Sequence, residues 1–197
     1  MIKVGLTGGI GSGKTYVSNI FEKLGAPVFN ADTESKKLTQ LPEIQKKITE
    51  AFGDEVYNEN NILQRAVLAQ IVFNEPLKLK TLNAILHPEV EKSFIKFCQR
   101  KHNCNYIIKE AAILYESRSY KNVDKTITVV APLETRISRI LKRDSHASKE
   151  SIQKIMDQQM DDHEKIKLSG FVIYNDDSTP LLPQILEIDK LLKNGVL

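Results

Sequence analysis

The chain has 197 residues, of which 41% are hydrophobic and 27% charged, the balance of a single globular domain with its own core. Its formal net charge of +3 is spread along the chain, which admits anionic ligands without calling for nucleic acid. The two cysteines, Cys98 and Cys104, are too few for a disulfide framework or a zinc site. No stretch reaches the roughly 18 apolar residues of a membrane span or the apolar run of a signal peptide, so a cytoplasmic protein with reduced thiols is expected.

Ile2, Val4 and Leu6 open the chain with a strand pattern, and a glycine-rich turn follows from Gly8 to Gly13. Tyr16 to Leu24 predicts a helix, with Val17, Ile20, Phe21 and Leu24 at helical spacing and Gly25 to end it. Pro27 to Phe29 predicts a second strand that runs out at Asn30-Ala31-Asp32. Strand, loop, helix and strand in this order start an α/β fold with a parallel sheet.

From about 33 to 103 the strand signal vanishes. Ile44, Ile48, Ala51 and Phe52 share a helical face, as do Val67, Leu68, Ile71 and Val72, and again Val90, Phe94, Phe97 and Cys98. Pro88 is expected to interrupt one helix and begin the next, because its missing N–H is harmless in a first turn. Strands return at Tyr106–Ile108, at Lys125–Ala131 and at Phe171–Tyr174. A helix is expected over Leu133–Leu141. The stretch from Lys142 to Lys167 is polar, as a lid without a large core would be. The charged run Asp157–Lys167 predicts a solvated face. A last helix carries Leu182, Ile185, Leu186, Leu191 and Leu192.

Gly8-Gly9-Ile10-Gly11-Ser12-Gly13-Lys14-Thr15 matches G-x-x-x-x-G-K-[ST] in full. Glycines let the backbone curl until several N–H groups face one cavity that holds phosphate oxygens. The helix that starts near Lys14 adds the positive end of its dipole. Lys14 would reach the β- and γ-phosphates, and the Thr15 hydroxyl would ligate Mg²⁺. Chance supplies such a match in about one chain per hundred of this size, and the flanking strand and helix lower those odds. A guanine-nucleotide switch would carry Asn-Lys-x-Asp and Asp-x-x-Gly, and neither occurs. A motor ATPase would end an apolar strand on a metal-binding Asp, whereas the third strand ends at Lys109-Glu110. A small kinase remains, and it needs an acceptor site, a base and mobile arginines.

Asp32, at the carboxyl edge of the sheet, is either that base or a helix N-cap. Arg136, Arg139 and Arg143 fall along one helical face, as a phosphate clamp or a solvated stripe. Glu110 stands near the Mg²⁺ position or merely ends a strand. His87 alone reads as a capping or core residue.

Taken together, these residues resemble the dephospho-coenzyme A kinase family over nearly the whole length. The opening Gly5-Leu6-Thr7-Gly8-Gly9-Ile10-Gly11-Ser12-Gly13-Lys14 is similar to that family's start, and Leu24-Gly25-Ala26-Pro27-Val28 with Asn30-Ala31-Asp32 to its second-strand motif. Leu86-His87-Pro88, preceded by Arg65 and Val72-Phe73, is similar to its helical insertion. Arg139, Arg143-Asp144, Gln159 and Val172-Ile173-x-Asn175 are similar to its lid and last strand. The resemblance implies an α/β fold with a five-stranded parallel sheet of P-loop kinase type. It implies a core at 1–32, 104–136 and 168–197, a helical acceptor-binding insertion at 33–103 and a lid at 137–167. ATP and Mg²⁺ would be the cofactors and dephospho-coenzyme A the acceptor, with no nucleic acid, no membrane and a monomeric state.

By the same resemblance Asp32 is the base, with Lys14, Arg139 and Arg143 catalytic. Gly9, Ile10, Gly11, Ser12, Gly13, Lys14, Thr15, Arg143 and Asn175 would hold the nucleotide, Asp32, Arg65 and His87 the acceptor, and Thr15 the metal. The chain departs from the family in three places. Asn30 stands where an Asp is usual, Ala111-Ala112-Ile113-Leu114-Tyr115-Glu116 replaces Pro-Leu-Leu-Phe-Glu, and Asn175-Asp176-Asp177 replaces Asn-x-Gly. Two rival readings stay open: a kinase of the same fold with a nucleotide or shikimate-like acceptor, and a nucleotide-binding switch with no acceptor.

Overall fold

The computed structural model describes residues 1–73, 75–101, 103–145 and 147–195. Positions 74 and 102 of the expected insertion, 146 of the expected lid, and 196 and 197 of the expected core lie outside the described residues. The chain divides into two units, Met1–Asn30 with Lys101–Leu197, and Ala31–Arg100.

The first unit is built on strands β1 (Ile2–Thr7), β2 (Val28–Asn30), β3 (Tyr106–Glu110), β4 (Lys125–Val130) and β5 (Phe171–Tyr174). Among the described residues they form one sheet in the order β2-β3-β1-β4-β5, with every pairing parallel. Each parallel step needs a crossover, which the intervening helices supply. In this unit these are α1 (Lys14–Lys23), between β1 and β2, and α6 (Leu133–Arg143), α7 (Lys149–Asp157) and α8 (Asp162–Leu168), between β4 and β5; α9 (Leu181–Asn194) follows β5. Every residue of β3 is buried, and so is all of β4 after Lys125, which is why these strands read as apolar runs rather than alternations. Val4, Leu6, Ile108, Ile127, Val129 and Ile173 of the sheet pack with Val17 and Phe21 of α1 and with Ile185, Ile188 and Leu192 of α9. The buried stripe of α9 therefore runs through Ile185, Ile188 and Leu192. Leu182 and Leu186, expected in it, are exposed.

β3 is tied to α9 by a buried hydrogen bond of 2.5 Å from the Tyr106 hydroxyl to Asp189 Oδ1. Burial, and then the bond to this carboxylate, push the phenol well above its ordinary pKa.

The second unit is helical: α2 (Ala31–Leu38), α3 (Pro42–Phe52), α4 (Arg65–Phe73) and α5 (Pro76–Arg100). Its core joins Ile44, Ile48 and Phe52 of α3 to Leu68 and Val72 of α4 and Leu86 of α5. Ala51, grouped with that face by its spacing, is exposed. Pro88 neither ends a helix nor begins one, because α5 runs through it. An interior proline costs about 3 kcal/mol. Leu86, Val90, Phe94 and Cys98 are buried at four-residue spacing across the proline. Side chains of the first three kinds contribute about 1.5–3 kcal/mol each on burial, so packing outweighs the break. No helix among the described residues is long and apolar enough to cross a membrane.

Candidate active site

β1 ends at Thr7 on the carboxyl edge of the sheet, and the glycine loop turns back from there into α1. Gly11 (φ +80°) and Gly13 (φ +92°) take left-handed backbone, Gly13 as the residue that caps α1. A Cβ on Gly13 would run into the Asn175 amide, so the position excludes a side chain twice over. Gly13→Ala is expected to cost about 1–2 kcal/mol of stability, a Tm lower by about 2–8 °C, and to weaken nucleotide binding. Thermal melts with and without ATP check both.

The first N–H groups of α1 have no acceptor within the helix, which makes its amino terminus suited to an anion. Lys14 Nζ donates to the carbonyls of Gly8 (2.9 Å) and Gly9 (3.0 Å), crossing the loop it belongs to. A cavity of about 240 Å³ lies between the loop residues Gly11, Gly13, Lys14 and Thr15 and the α6 residues Arg139 and Arg143. Lys14, Arg139 and Arg143 thus place three cations around one hollow beside a helix amino terminus, an arrangement suited to a polyphosphate. Arg139 Nη1 is buried there with no hydrogen-bond partner, and a phosphate oxygen would supply its acceptor.

Glu110, at the end of β3, is buried and fully engaged. Its Oε1 accepts from Thr15 Oγ1 at 2.7 Å, and its Oε2 accepts from Ser18 Oγ at 2.8 Å and Asn30 Nδ2 at 2.9 Å. It therefore does more than end a strand. It sets the hydroxyl expected to hold Mg²⁺, and together they offer the hard oxygen donors that this ion takes. No cluster of three or more His, Cys, Asp or Glu side chains that could hold a metal ion occurs among the described residues. Asn30 has a local reason too: its amide donates to Glu110, where an Asp would set a second carboxylate against it.

Asn175 follows β5 and donates from Nδ2 to the Ser12 carbonyl at 2.8 Å. Arg139 Nη2 reaches Asp177 Oδ1 at 2.6 Å and Asn175 Oδ1 at 3.4 Å. The intervening Asp176 accepts from the backbone N–H groups of Thr179 and Ser178, which pull its carboxyl down to about 2. The Asn175-Asp176-Asp177 run is thus a charged turn that grips an arginine of the cavity.

Of the residues singled out in the sequence, Gly9, Ile10, Gly11, Ser12, Gly13, Lys14, Thr15, Arg139, Arg143 and Asn175 gather around this loop. Asp32, Arg65 and His87 belong to the helical unit. Asp32 is exposed as the second residue of α2, inside its first turn, which removes the reading of it as an N-cap. Arg65 is exposed at the start of α4, and His87 is half-buried in α5.

Two further residues hold the loop. Arg136 is no solvated stripe, being 8% exposed, and it bonds the loop at Ile10. Gln159 bonds the same residue from the other side. The charged run 157–167 is not a solvated face throughout, since Lys165 is wholly buried against Glu116. No local spacing foretells these contacts, because the partners are far apart in sequence.

The family model for dephospho-CoA kinase matches residues 2–180. A dephospho-CoA kinase of Bacteroides fragilis is 42% identical over 188 residues, 95% of this chain and 91% of the relative. Among solved structures, a Thermus thermophilus protein, TT1252, superposes with a TM-score of 0.84 at 28% identity, covering 100% of this chain and 98% of its own. A Campylobacter jejuni dephospho-CoA kinase superposes with a TM-score of 0.71 at 26% identity, covering 99% and 98%. The sheet, the loop and these likenesses agree, and the chain belongs to the dephospho-CoA kinase family.

Proposed function

We propose that this enzyme transfers the γ-phosphoryl group of ATP to the ribose 3′-hydroxyl of dephospho-coenzyme A, giving coenzyme A and ADP, the last step of coenzyme A biosynthesis. The observation that carries the reading is the family match over residues 2–180, which spans the phosphate loop and the helical unit alike. The three cations beside the loop support the ATP half of the reaction.

In this mechanism the loop amides and Lys14 hold the β- and γ-phosphates. Thr15, set by Glu110, would hold Mg²⁺, whose positive charge would offset that of the phosphates. Arg139 and Arg143 stabilise charge on the transferred group. Asn175 braces the loop at Ser12, and Arg65 and His87 contact the acceptor. Asp32 orients the 3′-hydroxyl and takes its proton as the new O–P bond forms and the bond to the ADP oxygen breaks. Catalysis is then mostly positioning and charge stabilisation. A cytoplasmic monomer without a nucleic-acid partner completes the proposal.

A coupled ADP-release assay with dephospho-coenzyme A, AMP, CMP, shikimate or water as acceptor tests it. ADP is expected with dephospho-coenzyme A alone. Release at the water rate with every acceptor would favour a nucleotide switch, and release with AMP, CMP or shikimate a different kinase.

A further inference from the structure

The phosphate loop is held from outside as well as by its own glycines. The Ile10 N–H donates to Gln159 Oε1 at 2.8 Å, and the Ile10 carbonyl accepts from Arg136 Nε at 2.8 Å. Neither side chain belongs to the loop or its flanking elements. Arg136 comes from α6, and Gln159 from the link between α7 and α8. Each is itself fixed. Arg136 is buried, and its Nη1 donates to Asp162 Oδ2 at 2.8 Å. Beside Gln159, the Met160 N–H donates to Glu116 Oε1 at 2.8 Å, and Lys165 Nζ lies 3.3 Å from that same oxygen. Lys165 is wholly buried, so its charge has little else to answer it, and losing either partner of such a pair is strongly unfavourable. The α7–α8 link is thus pinned to the body of the unit where it meets the loop.

We propose that Gln159 and Arg136 are positioning residues of the phosphate loop. They clamp the backbone on both sides of Ile10, so that the N–H groups from Gly11 to Thr15 keep the shape a polyphosphate needs. This rests on the nucleotide-phosphate reading of the loop given above. A run with four glycines in six residues, Gly8 to Gly13, is the most freely moving kind of backbone. Ordering it when nucleotide arrives would subtract from the binding free energy. Two bonds made before nucleotide arrives remove part of that penalty. They also occupy the N–H and the carbonyl of Ile10, so that Ile10 shapes the cradle and its neighbours donate to the phosphates.

The test is Gln159→Met, which keeps the length of the half-exposed side chain and removes its acceptor, together with Arg136→Met and the double variant. Three quantities are read: affinity for magnesium ADP by calorimetry, the separate kinetic constants for ATP and dephospho-coenzyme A, and hydrogen exchange of the Ile10 amide by NMR in nucleotide-free protein. Gln159→Met is expected to weaken ADP binding and raise KM for ATP by about three- to tenfold, the factor one hydrogen bond commands. KM for the acceptor and kcat at saturating ATP should stay within about twofold, and Ile10 should exchange faster. The double variant should lose less than the product of the two singles, because both act on one residue's backbone.

Unchanged or tighter ADP binding, a fall in kcat in place of a rise in KM, or unaltered Ile10 exchange would each overturn the proposal. Calorimetry and exchange need no turnover. A wild-type enzyme inactive on dephospho-coenzyme A would sink the functional reading while leaving this one to stand or fall separately.

Discussion

Lys14→Ala is expected to lose nucleotide binding and turnover together, with kcat/KM for ATP lower by about 10²–10³-fold. Two roles disappear at once. Lys14 Nζ spans the loop through the carbonyls of Gly8 and Gly9, and it is also the cation nearest the helix amino terminus that a triphosphate would meet. Arginine is no substitute, since its planar fork does not deliver a point charge through so narrow a turn. Calorimetry with ATP beside the ADP-release assay measures both losses. A variant that binds ATP like the wild type would mean that the loop is no phosphate cradle.

Asp32→Asn should do the reverse, leaving ATP affinity intact while kcat falls by about 10²–10⁴-fold, the range of a general base. The substitution keeps size and shape at an exposed position in the first turn of α2, so the fold should not suffer. What goes is the carboxylate that accepts the 3′-hydroxyl proton, because an amide has no such capacity at neutral pH. Single-turnover rates at saturating ATP and dephospho-coenzyme A isolate this step. Wild-type rates in that experiment would strip Asp32 of its assignment and leave the base to be sought elsewhere.

Much of the architecture was legible because the signals are local. Apolar runs rich in β-branched residues announced β3 and β4, and the loop announced itself through residue types that a tight phosphate turn demands. What stayed hidden depends on contacts between distant residues. Thr15 and Glu110 are 95 positions apart, and only the register of β1 with β3 brings them to one edge. Spacing alone leaves Arg136 as open between clamp and surface stripe as Arg139 and Arg143, and only its partners, Ile10 and Asp162, separate it from them. Lys165 sat in a charged run that reads as solvated, yet Glu116 draws it inside. Pro88 misled in the opposite way: a local rule predicted a boundary, and packing on both sides of it overruled the rule. Asn30 looked like a loss against the family pattern, yet in the structure it is a donor matched to Glu110.

The central place of β1 has a consequence for how the chain is made. Among the described residues its only ladder partners are β3 and β4, which end at Glu110 and Val130. A polypeptide made amino end first, at about 5–20 residues per second, therefore carries β1 unmated until Glu110 has emerged and paired on one side alone until Val130 has followed. The helical segment between them has its own apolar centre and is free to collapse during that wait. Chains cut short just after Arg100 would thus carry a bare, sticky strand, prey for aggregation and for proteases.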